Sequence, residues 1–131
     1  MKIEHVALNV PDALSMGRWY VDHLGLTVKR RTMDSPWAHF LADDSGTVMI
    51  EIYQNESAEM LAFPTVPPPA LHLAFVSQNV EQDCIRLESA GAVRVSGPEK
   101  MPSGDIMAML RDPWGVCLQL VHRAQPMLGK V

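Results

Sequence analysis

A chain of 131 residues, 47% of them hydrophobic, is long enough to bury one core and falls in the usual size range for a single domain. A formal net charge of −4, with Lys29-Arg30-Arg31 as the only basic run, gives no electrostatic footprint for nucleic acid or an anionic membrane surface. No stretch approaches the roughly 20 apolar residues of a membrane span, and residues 1–10 lack the basic and apolar regions of an export signal, so a soluble, cytoplasmic protein is expected. Cys84 and Cys117 show no CxxC spacing and read as free thiols.

Residues 2–10 alternate in character and are rich in Val, Ile and Leu, which predicts a first strand. Residues 11–24 then read as a helix that Asp12 or Ser15 caps and Gly25 ends. Strands are predicted over 26–33, 37–42 and 47–53, so the first half is βαβββ. Residues 55–69 hold Pro64, Pro67, Pro68 and Pro69, which are expected to stay outside regular elements, and this segment reads as a linker. The second half repeats the order: a strand over 71–77, a helix over 79–90, and strands near Val93, over 105–111 and over 116–122. The predicted organisation is one α+β domain over 1–131, built from a module at about 1–54, the linker, a module at about 70–122 and a loose tail at 123–131.

The two halves match residue for residue at several points. His5 in Ile3-Glu4-His5-Val6-Ala7-Leu8 corresponds to His72 in Ala70-Leu71-His72-Leu73-Ala74-Phe75, 67 residues on. Gly25 corresponds to Gly91 at 66 residues, and Asp43 and Gly46 correspond to Asp112 and Gly115, both at 69. Offsets this similar mark an internal repeat of about half the chain. Gly46 and Gly115 are each expected to supply the positive φ of a tight turn before the last strand of their module.

Strand parity sorts the side chains by face. Val6, Leu8 and Val10 are expected under the first helix, which turns His5, Ala7 and Asn9 the other way; Val48, Ile50 and Ile52 likewise leave Met49, Glu51 and Tyr53 opposite. In the second half Leu71, Leu73 and Phe75 pack and His72 faces away, as do Cys117, Gln119 and Val121 beside the packed Val116, Leu118 and Leu120. His5, Glu51, His72 and Gln119 thus share one kind of face. Two imidazoles, a carboxylate and an amide oxygen suit a divalent ion such as Zn, Ni, Co, Mn or Fe. Tyr53 and Cys117 lie on the same faces and are candidates for substrate contact, although a buried, inert thiol also accounts for Cys117. His23, just before Leu24-Gly25, reads as a residue that favours a helix C-terminus. His39 lies on a strand and is a weaker candidate to join the face of His5 and Glu51, and His122 is expected at a strand end in solvent.

The segments IEHVALNVPD, WYVDHLGL, LHLAFV, LESAGA and RDPWGVCLQLV resemble those of the vicinal oxygen chelate superfamily, which includes glyoxalase I, methylmalonyl-CoA epimerase, extradiol dioxygenases and the fosfomycin and bleomycin resistance proteins. The resemblance covers nearly the whole chain. It implies that paired βαβββ modules form an incomplete eight-stranded barrel around a cup that holds a divalent metal. The implied ligands are His5, Glu51, His72 and Gln119, of which Gln119 departs from the second Glu of bacterial glyoxalase I.

The activity implied by the resemblance is that of a metal-dependent lyase or isomerase of glyoxalase I type, akin to lactoylglutathione lyase, acting through an enediolate of a small substrate with vicinal oxygens. One carboxylate instead of two leaves a bound divalent ion at a net positive charge and a stronger Lewis acid. Gln119 cannot take a proton, so Glu51 is the implied catalytic base. Glutathione-dependent relatives carry Arg and Asn four residues after the first and second ligands; here those positions are Asn9 and Asn55, which become the implied contacts for a glutathione adduct. Alternatives are a metal-free binder of bleomycin-resistance type, with Trp37, Tyr53 and Trp114 as its aromatic surfaces, or an enzyme similar to methylmalonyl-CoA epimerase or extradiol dioxygenase. Relatives and the general prevalence of closed two-fold pairs imply a homodimer.

Overall fold

In the computed structural model, which describes residues 1–129, the chain is α+β and forms two compact units, Met1–Leu61 and one from Ala62 onward. The first unit runs β1 (His5–Asn9), α1 (Ala13–Leu24), β2 (Thr27–Arg31), β3 (His39–Ala42) and β4 (Met49–Tyr53). The second runs β5 (Leu73–Val76), α2 (Val80–Ser89), β6 (Val93–Lys100), β7 (Ile106–Arg111) and β8 (Cys117–His122). Each is therefore βαβββ. Each holds a four-stranded sheet, ordered β1-β4-β3-β2 in one and β5-β8-β7-β6 in the other, with the first and last strands of the module running parallel.

The helices form where the sequence places caps and apolar spacing. Asp12 accepts from the Ser15 backbone N–H at 3.2 Å, and Asn79 accepts from that of Gln82 at 3.1 Å. Ala13, Met16 and Tyr20 make a fully buried stripe on α1, and Val80, Cys84 and Leu87 one on α2. Beneath them lie Leu8, Val10, Leu41 and Ile52 in the first unit and Leu110, Val116, Leu118 and Leu120 in the second. Burying each such side chain contributes about 1.5–3 kcal/mol. Val6, expected in this layer, is instead 48% exposed. Helix α1 packs on β3 and β4, and β1 is an edge strand, so the beginning of β1 lies outside its cover.

Gly46 and Gly115 close the last hairpin of each module with φ of 67° and 91°, their N–H groups donating to the carbonyls of Asp43 and Asp112. The space around them differs. A Cβ on Gly46 would meet nothing within 4 Å, whereas one on Gly115 would stand 2.5 Å from Pro64 Cγ and 2.7 Å from its nitrogen.

The segment at 55–69 is tied down on both sides of the division between units. Asn9 clamps its first part, donating to the carbonyls of Asn55 and Glu59 and accepting from the Asn55 N–H. Arg111 holds the later part, donating to the carbonyls of Phe63 at 3.1 Å and Val66 at 2.9 Å. Pro64 lies within a short 3₁₀ turn, Phe63–Thr65, contrary to the expectation that these prolines avoid regular elements; at the first turn of a helix the missing N–H has no partner to lose.

Two further expectations change. The strand near Val93 is a full eight residues, bulged in its pairing with β7. The tail is not loose at its start, because Arg123 and the Ala124 N–H both bind the Asp105 carboxylate, at 2.8 and 2.9 Å. Positions 130 and 131 of that predicted tail lie outside the described residues. Among the described residues no helix is long and apolar enough to cross a membrane.

Candidate functional site

On the side of the sheets turned away from the helices, the first and last strands of each module bring polar residues. In the first unit His5 pairs with Met49 and Ala7 with Glu51, so His5 and Glu51 are diagonal neighbours on one face. Their closest polar atoms, Nε2 and Oε1, are 3.8 Å apart. In the second unit Ala74 pairs with Gln119, and His72 lies two residues before Ala74, just ahead of β5. The register puts His5 and Glu51 on one face, as strand parity predicts, whereas Cys117 and Val121, expected to face outward, are buried.

Each imidazole is also oriented from behind. His5 Nδ1 lies 3.0 Å from Glu4 Oε1, and His72 Nδ1 lies 2.8 Å from the Pro68 carbonyl oxygen. An ionised carboxylate and a carbonyl only accept, so in both rings Nδ1 is the donor and the neutral ring keeps its lone pair on Nε2. Phe40 packs edge-on against the His5 ring, at a centroid distance of 5.4 Å, and stands beside Glu51 in the sheet. The two anchors were not read from the sequence. Glu4 directly precedes His5 and offered a local signal, but the Pro68 anchor is a backbone atom that no side-chain pattern reveals.

The remaining candidates take other positions. Asn9 uses both ends of its amide on the 55–59 loop, and Asn55 Oδ1 accepts from the Ser57 N–H at 3.0 Å, so each already has a structural partner. Tyr53 is half-buried, two residues beyond Glu51 on the same strand. Cys117 is only 3% exposed, with Sγ 3.7 Å from Met109 Sδ, and burial pushes its thiol above the ordinary range. Cys84 is likewise buried and raised for the same first reason. His39 is a helix-face residue: it pairs with the fully buried Ile52 and donates from Nδ1 to the Trp37 carbonyl at 2.6 Å. His23 lies against Trp19 with the ring planes tilted by 54°, and His122, expected in solvent, is half-buried with Nδ1 3.2 Å from the Ser77 carbonyl. Trp37 sits at a turn with φ of 55°, and the Trp114 N–H donates to Asp112 at 2.9 Å.

Donor chemistry in the first unit fits a divalent ion. Two ligands about 2.1 Å from a tetrahedral ion stand about 3.4 Å apart, close to the 3.8 Å between His5 and Glu51. The second unit offers an imidazole and an amide oxygen. Neither pair alone supplies three donors, and among the described residues no three or more His, Cys, Asp or Glu side chains are grouped to hold a metal.

Known structures share this architecture. A glyoxalase/bleomycin resistance protein/dioxygenase family enzyme from Burkholderia phytofirmans PsJN superimposes with a TM-score of 0.76 at 17% identity, covering 93% of this chain and 98% of that one. TnmS3, an antibiotic binding protein from Streptomyces sp. CB03234, gives 0.70 at 22% identity, with 95% and 97% covered. A glyoxalase I mutant from Zea mays gives 0.72 at 21% identity, with 95% of this chain but 46% of that one covered. No curated protein matches the sequence. The family model for the Glyoxalase/Bleomycin resistance protein/Dioxygenase superfamily matches residues 2–120, and the chain, built from two βαβββ units, belongs to that superfamily.

Proposed function

We propose that the chain is a divalent-metal-dependent lyase or isomerase of glyoxalase I type, with His5, Glu51, His72 and Gln119 as its ligands and Glu51 as its base. The observation that carries this reading is the matched orientation of the two histidines: each has Nδ1 held by an acceptor, which leaves the ring's lone pair on Nε2. Metal-binding histidines are held in this way, by a carboxylate or a backbone carbonyl behind the ring. A bound divalent ion would supply Lewis acidity toward two neighbouring substrate oxygens.

The chain's own residues do the rest. Glu51 has a side chain 19% exposed, open enough for a small molecule to reach. It takes a proton from the substrate carbon and returns it to the neighbouring one, while Gln119 binds without exchanging protons. Asn9 shapes the 55–59 loop, so its part in recognition is to hold that loop next to Tyr53. The substrate class is a thiohemiacetal of a 2-oxoaldehyde, with glutathione as the first thiol to test, and the working state is a homodimer.

A metal-free binding role is the second reading, supported by the fold shared with the antibiotic binding protein TnmS3 and by the two-donor limit within each unit. One assay separates them. Metal-repleted protein should turn over the methylglyoxal–glutathione thiohemiacetal, and Glu51→Gln should lower kcat by roughly 100-fold or more. A Glu51→Gln rate equal to the native one removes Glu51 as the base. No turnover of thiohemiacetals or CoA thioesters, together with saturable binding of an antibiotic, selects the binder.

A further inference from the structure

The two halves can be compared position by position on their helix sides. Aligning the caps Asp12 and Asn79 sets the buried Ala13 against Val80 and the buried Tyr20 against Leu87. The same offset sets Leu14, Gly17 and Val21 against Glu81, Cys84 and Glu88. On the sheets, Val28 pairs with Leu41 and Arg94 pairs with Leu110; Leu41 and Leu110 are both fully buried, each two residues before the hairpin Asp. Val28 therefore occupies the place of Arg94.

In the second unit that place is closed. Arg94 reaches across from β6 to α2, bidentate on Glu81 at 3.0 and 3.2 Å and bound to Glu88 at 2.6 and 3.1 Å. These carboxylates hold its charge still more firmly than usual. In the first unit Leu14, Val21 and Val28 cannot form that bridge. A cleft of about 560 Å³ remains between α1 and strands β2 and β3.

The lining of this cleft combines apolar and polar side chains. Leu14, Val21, Val28 and Met33 give apolar walls, of which Leu14 is 46% and Met33 54% exposed. His39 contributes a polar group enclosed on nearly every side: the residue is 4% exposed, and of its two nitrogens only Nδ1 has a partner among the described residues. Gly17 leaves room beside that ring, since a Cβ there would come within 3.3 Å of it. Arg18 is paired with Asp22 at 3.6 Å, while Arg31 has no ion pair among the described residues. The volume falls within the range of small-molecule sites, about 300–1,000 Å³.

We infer that the first unit carries a second small-molecule site in this cleft, on the face of its sheet opposite His5 and Glu51. Its ligand has an apolar or aromatic body, a hydroxyl and a carboxylate. Because Nδ1 of His39 donates to Trp37, the neutral Nε2 accepts, and it takes the hydroxyl proton in a hydrogen bond. The walls enclose the body, and Arg31 takes the carboxylate. The site stands whether or not the Glu51 face binds metal.

The test is a titration of the isotope-labelled full chain, followed by backbone amide chemical shifts, with 4-hydroxybenzoate, benzoate and 4-hydroxybenzyl alcohol as probes. Saturable shifts confined to α1, β2 and the start of β3 are expected, with 4-hydroxybenzoate the tightest. Arg31→Gln, at an exposed position, should weaken it roughly tenfold, the loss of one charge-assisted hydrogen bond. The triple variant Leu14→Glu, Val21→Glu, Val28→Arg, which builds the bridge of the second unit into the first, should abolish binding. Absence of saturable shifts with all three probes, or equal affinities in native and Arg31→Gln protein, overturns the proposal. If the triple variant fails to fold, Arg31→Gln decides alone.

Discussion

The first and second units share nearly everything that the backbone requires and differ in what their side chains offer outward. Both have an Asx-type N-cap, a buried stripe on the helix, a glycine at positive φ before the last strand, and a histidine at or just before the first strand. They part at Glu51 against Gln119, and at the apolar cleft of one against the Arg94 bridge of the other. Caps, turns and core positions tolerate few alternatives once a βαβββ unit is made. Positions facing away from the core are under no such demand, and there the copies are free to acquire separate chemistry.

The comparison can be strained hardest at the equivalent glycines. Gly115→Ala combines a left-handed backbone with contacts of 2.5–2.8 Å to Pro64 and should cost about 3 kcal/mol or more in denaturant unfolding. Gly46→Ala meets open space and should cost about 1–2 kcal/mol, from backbone conformation alone. Equal losses would mean that the closeness of Pro64 to the second hairpin has no energetic weight.

A smaller and symmetrical effect is expected at the caps. Asp12→Ala and Asn79→Ala each remove one bond to an N–H of the first helical turn, so each should cost about 1 kcal/mol. A clear difference between them would show that the units are not held by equivalent local devices.

The smallest effect concerns acid. The Ala124 N–H, and then Arg123, hold the Asp105 carboxyl below the usual range. With its folded value depressed, this carboxylate stabilises the second unit above its unfolded pKa of about 3.9. That contribution is lost as pH falls through the lower folded value. Asp105→Asn should therefore reduce stability at neutral pH and leave it nearly unchanged in strong acid, read from melting curves across pH. A deficit that persists in strong acid would assign the effect to packing.

The order of elements, Asp12 as one of two candidate caps, both hairpin glycines and the shared face of His5 and Glu51 were legible in the sequence. They depend on spacing, alternation and local backbone demands, which one chain carries by itself. The face of His39 was not, because Trp37 at φ of 55° turns the chain just before β3 and interrupts the alternation leading into it. The binding of 55–69 was hidden for another reason. It rests on Asn9 and Arg111 reaching backbone carbonyls 46–50 and 45–48 residues away, contacts that leave no periodic trace. The exposure of Val6 depends on where α1 lies across the sheet, which strand parity leaves open.

The proposed activity requires His5 and Glu51 to act together with His72 and Gln119 as a metal-binding set. Its most direct test is the divalent metal retained per chain after repletion and desalting, in native protein and in His5→Ala and His72→Ala. About one ion per native chain is expected, with its loss in both variants. Less than about a tenth of an equivalent in native protein, or full retention in either variant, would refute the shared metal site.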